Sequence, residues 1–92
     1  MTKADRQHFD NVAALGCCLC FHIHGPHEPG PVELHHLRSC GWGKGDASTV
    51  MGLCVPHHRG TLGVHGMGTK AFAKYYGISQ HDLLIWVKEQ LS

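Results

Sequence analysis

The sequence is poor in charge. Only 16% of its 92 residues are charged, and they balance to a net +1 at pH 7 with histidine counted neutral. Such a balance excludes a strongly basic nucleic-acid arm and an acidic tail. The chain also lacks a long hydrophobic run: nothing approaches the roughly 18–20 apolar residues of a membrane span, and no basic-then-apolar leader opens it. The expectation is a soluble, unsecreted, cytoplasmic protein with no membrane partner. Such a compartment keeps thiols reduced, so a disulfide framework is the weaker reading of the cysteines, and their number, five, is odd in any case. Disorder is excluded as well, because 42% of the residues are apolar.

The chain is rich in metal-ligating residue types, with ten histidines and five cysteines. Its length fits one small domain, residues 1–92, whose core is modest and calls for a staple. A helix is predicted over about 4–15, with Phe9, Val12 and Ala13 at helical spacing and Gly16 as its stop. Residues 21–31, dense in Pro and Gly, are predicted to form a loop that no regular element can occupy. Val32–Leu37 alternates as a strand, 38–47 reads as a glycine-rich loop, and Val50–Cys54 as a second short strand. Pro56 opens a helix that the glycines beyond it keep short. Thr69 is a predicted cap for a helix carrying Phe72, Tyr75 and Tyr76, ended by Gly77. Ser79 with Asp82 gives a capping box for a last helix presenting Leu84, Val87 and Leu91, with Leu83 and Trp86 beside them. Helices thus occupy both ends, and a loop-rich, apolar-poor metal core about residues 16–66 lies between them.

Two thiolates at C-x-x-C spacing, Cys17 and Cys20, can bite one metal from a tight knuckle, and Cys54 with His57 repeats the spacing. Three sulfurs and one imidazole make a closed structural zinc site. Cys18 is a less natural ligand than Cys17, and Cys40 is a minority substitute; both are otherwise free thiols. A second group comprises His35, His36, His58 and His65. Adjacent histidines on a strand face opposite ways, and His57 and His58 diverge by about 100° on a helix, so neighbours can serve different sites. A site with about three nitrogens and open positions is a catalytic pattern. His22, His24 and His27 read as loop residues, and His8 and His81 as solvated ones on helices.

These motifs, in this order, resemble the HNH endonuclease superfamily, whose core is a ββα-metal unit. The closer resemblance is to the phage recombination-enhancement, RecA-dependent nuclease family, called Ref. Its members look like G-C-x-x-C, E-x-H-H-[IL], P-L-C-x-x-H-H-R-G, a lone His, and F-x-x-x-Y-G. Here these are Gly16 to Cys20, Glu33 to Leu37, Leu53 to Gly60, His65, and Phe72 to Gly77, with Gly52 where the pattern has Pro. The resemblance implies an α+β fold, a small zinc-stapled ββα-metal domain flanked by helices. It implies metal-dependent hydrolysis of DNA phosphodiester bonds in phage or prophage recombination or DNA processing, within a bacterial host. Residue by residue, it implies a structural Zn²⁺ on Cys17, Cys20, Cys54 and His57. His35 and His58 become ligands of a catalytic ion (Mg²⁺, Mn²⁺, Ni²⁺ or Zn²⁺), with His65 the candidate third. His36 takes the place of the general base, Thr49 stands as a partial replacement for the missing Asn that orients it, and Arg59 is placed to pair with a phosphate oxygen.

Only eight Lys and Arg are present, so little affinity for a polyanion is expected from them. Lys44, Lys70 and Lys74 are the candidates to flank the site, and a recombination or DNA-processing partner is expected to help deliver DNA. The competing reading is a non-catalytic zinc-binding module that contacts DNA or protein. It would use the Cys/His four and leave the second cluster idle.

Overall fold

The computed structural model describes residues 2–37 and 47–92. Arg38, Cys40, Lys44 and most of the expected glycine-rich loop lie outside the described residues. The architecture is α+β: a two-stranded antiparallel sheet with helices packed against it.

Helix α1, Lys3–Ala14, begins one residue before the expected start because Thr2 caps it. The Thr2 hydroxyl accepts from the Asp5 N–H at 3.0 Å, and Asp5 accepts from the Thr2 N–H at 3.3 Å. Val12 on this helix is fully buried.

The region expected to be an irregular loop from residue 21 is helical at its start. Helix α2 spans Cys18–His24, so His22 and His24 stand on a helix, exposed, and not in a loop. The Pro and Gly that suggested the loop all follow His24, and nothing within Cys18–His24 breaks a helix. Burial of Cys18 and Leu19 supplies the packing, and Gly25, at φ 80°, ends the helix in a conformation that suits glycine.

Strand β1, Glu33–His36, pairs antiparallel with β2, Val50–Leu53. The register sets Glu33 opposite Leu53, Leu34 opposite Gly52, His35 opposite Met51 and His36 opposite Val50. A 3-10 turn, Ala47–Thr49, leads into β2, and the Thr49 carbonyl accepts from the Leu37 N–H at 2.9 Å. The sequence reads this middle region as apolar-poor, yet β2 is buried along its whole length, with Val50, Met51 and Leu53 at 0% exposure. A four-residue apolar strand is too short to weigh in composition, but it sits at the centre of the core.

Helix α3, Val55–Arg59, follows β2 directly, with Cys54 as its N-cap and Pro56 in its first turn. Helix α4, Val64–Met67, is a single turn. Helix α5, Thr69–Tyr76, has Gly68 as its N-cap, so Thr69 is its first helical residue and not its cap. Helix α6, Gln80–Leu91, starts at the expected capping box. The Ser79 hydroxyl accepts from the Asp82 N–H at 3.0 Å, and Asp82 accepts from the Ser79 N–H at 3.5 Å. Leu83, Leu84 and Val87 close the core with Phe72 and Leu19, while Leu91 and Trp86 pack half-buried at its margin. Among the described residues, no helix is long and apolar enough to cross a membrane.

Candidate metal centres and catalytic cleft

Among the described residues, two His/Cys groups gather about helix α3. The first joins the N-terminus of α2 to that of α3. The Cys17 sulfur, at the α2 N-cap, accepts from the Cys20 N–H at 3.4 Å, which curls the C-x-x-C segment into one turn. Cys54 and His57 occupy the cap and first turn of α3, with Cys54 Sγ 3.2 Å from His57 Nδ1. Across the group, Cys20 Sγ lies 3.8 Å from Cys54 Sγ, and His57 Nδ1 lies 3.4 Å from Cys20 Sγ and 3.6 Å from Cys17 Sγ. A tetrahedral zinc with bonds of about 2.3 Å to sulfur and 2.0 Å to nitrogen sets its donors roughly 3.5–3.8 Å apart. The separations fit that polyhedron and are far too long for a disulfide, about 2.05 Å. This group could hold a metal such as zinc.

Without metal, the cluster is unfavourable for charge. Burial pushes the Cys20 thiol up to about 12 and also raises Cys54, each with further contributions from neighbouring thiols. Burial holds His57 below its ordinary range, with His24 adding to the effect. Cys18 is a different case. It is sealed in the core, its pKa pushed up to about 12 by burial, and it lines a small cavity of about 200 Å³ with Phe21, His22, Ile78, Leu83 and Trp86.

The second group lies in an open cleft of about 740 Å³, lined by Leu34, His35, His36, Leu37, His58, Val64, His65, Thr69 and Gln80. His35 from β1, His58 from α3 and His65 from α4 offer ring nitrogens within 4.8 Å of one another. His58 Nε2 and His65 Nε2 face each other at 3.1 Å. The seven-residue step between them is bridged by a tight reversal in which the Gly63 N–H donates to the Gly60 carbonyl at 2.9 Å. This reversal requires glycine by close approach. A β-carbon at Gly66 would run into the Gly60 and Thr61 carbonyls, and one at Gly63 would lie 2.7 Å from the His57 carbonyl oxygen.

Glu33, which sequence reasoning did not assign, organises the cleft from β1. Its Oε1 accepts from His58 Nδ1 at 2.9 Å and from Arg59 Nε at 2.9 Å, and its Oε2 receives Arg59 Nη2 at 2.7 Å. The bond from His58 holds the Glu33 carboxyl below the usual carboxylate range, with Arg59 acting in the same sense. An ionised Glu33 accepts the Nδ1 proton of His58 and thereby leaves Nε2 as the lone-pair atom that faces His65. Gln80, equally unassigned, bonds His35: its Oε1 lies 2.8 Å from His35 Nε2, with both residues buried. Burial lowers the pKa of His35, so it stays neutral to lower pH than an exposed histidine.

His36 follows His35 on the strand and turns to α1, its ring edge-on to Phe9 at 6.1 Å between centroids. Its Nδ1 is buried and has no hydrogen-bond partner among the described residues, so the Thr49 hydroxyl does not bond that nitrogen. Arg59 is engaged with Glu33, yet its side chain remains 63% exposed. Lys70 and Lys74 are exposed on α5, whose first residue, Thr69, lines the cleft. Of the remaining histidines, His81 is exposed, His8 is half-buried, and His27 Nδ1 sits 3.1 Å from the Gly25 carbonyl oxygen.

Along its whole length, residues 1–92, the chain matches the model of a family described as "Recombination enhancement, RecA-dependent nuclease". No curated protein and no solved structure matches it.

Proposed function

From a chain that belongs to the recombination enhancement, RecA-dependent nuclease family, we propose a metal-dependent endonuclease of the HNH type that hydrolyses DNA phosphodiester bonds. The observation that carries this reading is the convergence of His35, His58 and His65, from three separate elements, within a cleft that also contains His36. All three donors are imidazoles, and the cleft beside them is open. This pattern leaves positions for substrate and water, whereas the Cys17, Cys20, Cys54 and His57 group is closed. The closed group would hold zinc as a staple between α2 and α3.

A divalent ion bound by His35, His58 and His65 would supply Lewis-acid stabilisation of the charge that grows on the scissile phosphate and its leaving oxygen. The remaining steps fall to side chains. His36 takes a proton from the attacking water, work suited to an imidazole near neutral pH. Its Nδ1 is sealed from solvent, so the proton passes to Nε2. Glu33 holds His58 in the tautomer with Nε2 free and keeps Arg59 at the cleft edge, where one guanidinium can face both the carboxylate and a phosphate oxygen. Lys70 and Lys74 extend this positive edge along α5. The charge supply is still small, which fits a nuclease whose substrate is presented by a recombinase, as the family's RecA dependence suggests.

Supercoiled plasmid incubated with the protein and Mg²⁺, Mn²⁺ or Ni²⁺ tests the reading. Nicked or linear product that disappears with a chelator and in His58→Ala is the expected result. DNA binding without cleavage under every metal would replace the nuclease with the non-catalytic zinc module.

A further inference from the structure

Gln80 has no part in the motifs that mark this chain, and it lies beyond the last of them. It is nevertheless 6% exposed, at the first position of α6, with its amide turned onto a histidine 45 residues away. A buried amide costs free energy unless it is paired, so an apolar residue would fill the same space more cheaply. Its carbonyl oxygen can only accept, so the 2.8 Å contact requires His35 Nε2 to donate. A neutral His35 then has its lone pair on Nδ1. The backbone behind the amide is fixed, because Ser79 and Asp82 cap each other across residues 79–82. Gln80 also lines the cleft itself.

We propose that Gln80 is a positioning residue for the three-histidine metal centre. It locks His35 in one tautomer and ties the N-terminus of the last helix to the site. This rests on the reading of His35, His58 and His65 as ligands, and it extends the site to a fourth element, α6. Outer partners of ligating histidines raise metal affinity by about 10–100-fold by fixing the ring and its tautomer.

The test uses the zinc-loaded protein titrated with Co²⁺, whose visible spectrum reports binding at imidazole donors separately from thiolate donors. The readings come from wild type, Gln80→Met, Gln80→Glu and His58→Ala, together with ¹⁵N NMR of His35 before metal is added. Wild type shows the Nε2–H tautomer and binds one Co²⁺ that His58→Ala does not. Gln80→Met weakens that binding about 10–100-fold and loses the tautomer preference. Gln80→Glu, which still accepts, restores both. Unchanged affinity in a folded Gln80→Met protein overturns the proposal while leaving the metal centre intact. An Nδ1–H tautomer for His35 in wild type overturns it even if Gln80→Met does not fold. If wild type and His58→Ala take up Co²⁺ alike, the three-histidine centre itself fails and the proposal with it, a result distinguishable from the other two.

Discussion

Glu33 shows how much of the cleft depends on a single carboxylate. From β1, beside their helix α3, it accepts from His58 and Arg59 together, at 2.7–2.9 Å. Replacing it with Gln keeps the shape and removes the charge, leaving His58 with a weaker orienting partner and Arg59 without an ion pair. Glu33→Gln should therefore lower affinity for the ion at His58 and His65 by about 10–100-fold, read by isothermal titration, while zinc at the cysteine group is retained. An unchanged affinity would mean that the carboxylate serves Arg59 alone. Neither Glu33 nor Gln80 announces its role in the sequence. Each acts across 25 or 45 residues as a hydrogen-bond acceptor, and such pairing leaves no local spacing. The candidate ligands are legible because metal sites constrain neighbours: C-x-x-C, C-x-x-H and doubled histidines are short-range patterns. The orienting role considered for Thr49 was drawn from the resemblance, and the unpartnered His36 Nδ1 gives it no support at that nitrogen.

At the level of elements, α3 is the pivot. Its cap and first turn carry Cys54 and His57 toward α2, and the next residue, His58, turns toward β1 and α4. Cys54→Ser should release zinc and uncouple α2 from α3, seen as lost zinc content and a lower melting temperature. The raised Cys20 and Cys54 thiols add a pH dependence. Metal binds the thiolate, so binding must expel protons that the metal-free cluster holds tightly. Apparent zinc affinity should rise with pH, and proton release on zinc addition should be measurable in weak buffer. The glycines between α3 and α4 read in the sequence only as helix breakers, but the structure shows them permitting the close reversal that brings His65 back to His58. Gly66→Ala would drive a methyl into the Gly60 carbonyl. It should weaken or abolish the three-histidine site while leaving zinc at the cysteine group. Helix α2 is hidden in the sequence for a related reason: the Pro and Gly that follow His24 mask a breaker-free segment, Cys18–His24, just before them.

Over the whole molecule, a buried core stands beside a cysteine group that could hold a metal staple. Phe72, at 0% exposure, is the largest fully buried side chain among the described residues and belongs to the core cluster with Val50, Leu53 and Leu83. Phe72→Ala should cost about 3–5 kcal/mol in denaturant unfolding of the zinc-loaded protein, a large share of the roughly 5–15 kcal/mol typical of a domain. The burial of β2 at the centre means that a metal at the cysteine group would supplement a real core and not replace one. The near-neutral charge bears on the proposed activity: with so few cations the intrinsic grip on DNA should be weak, and bound metal and a presenting partner would offset it. In the proposed nuclease one cleft holds the ion and the base that together cut DNA. The most direct measurement is cleavage of supercoiled plasmid by His36→Ala alongside wild type, with the metal content of both determined on the same samples. Equal metal content, an intact fold and a loss of cleavage rate of about 10²–10⁴-fold are expected. Cleavage at the wild-type rate by His36→Ala would contradict it.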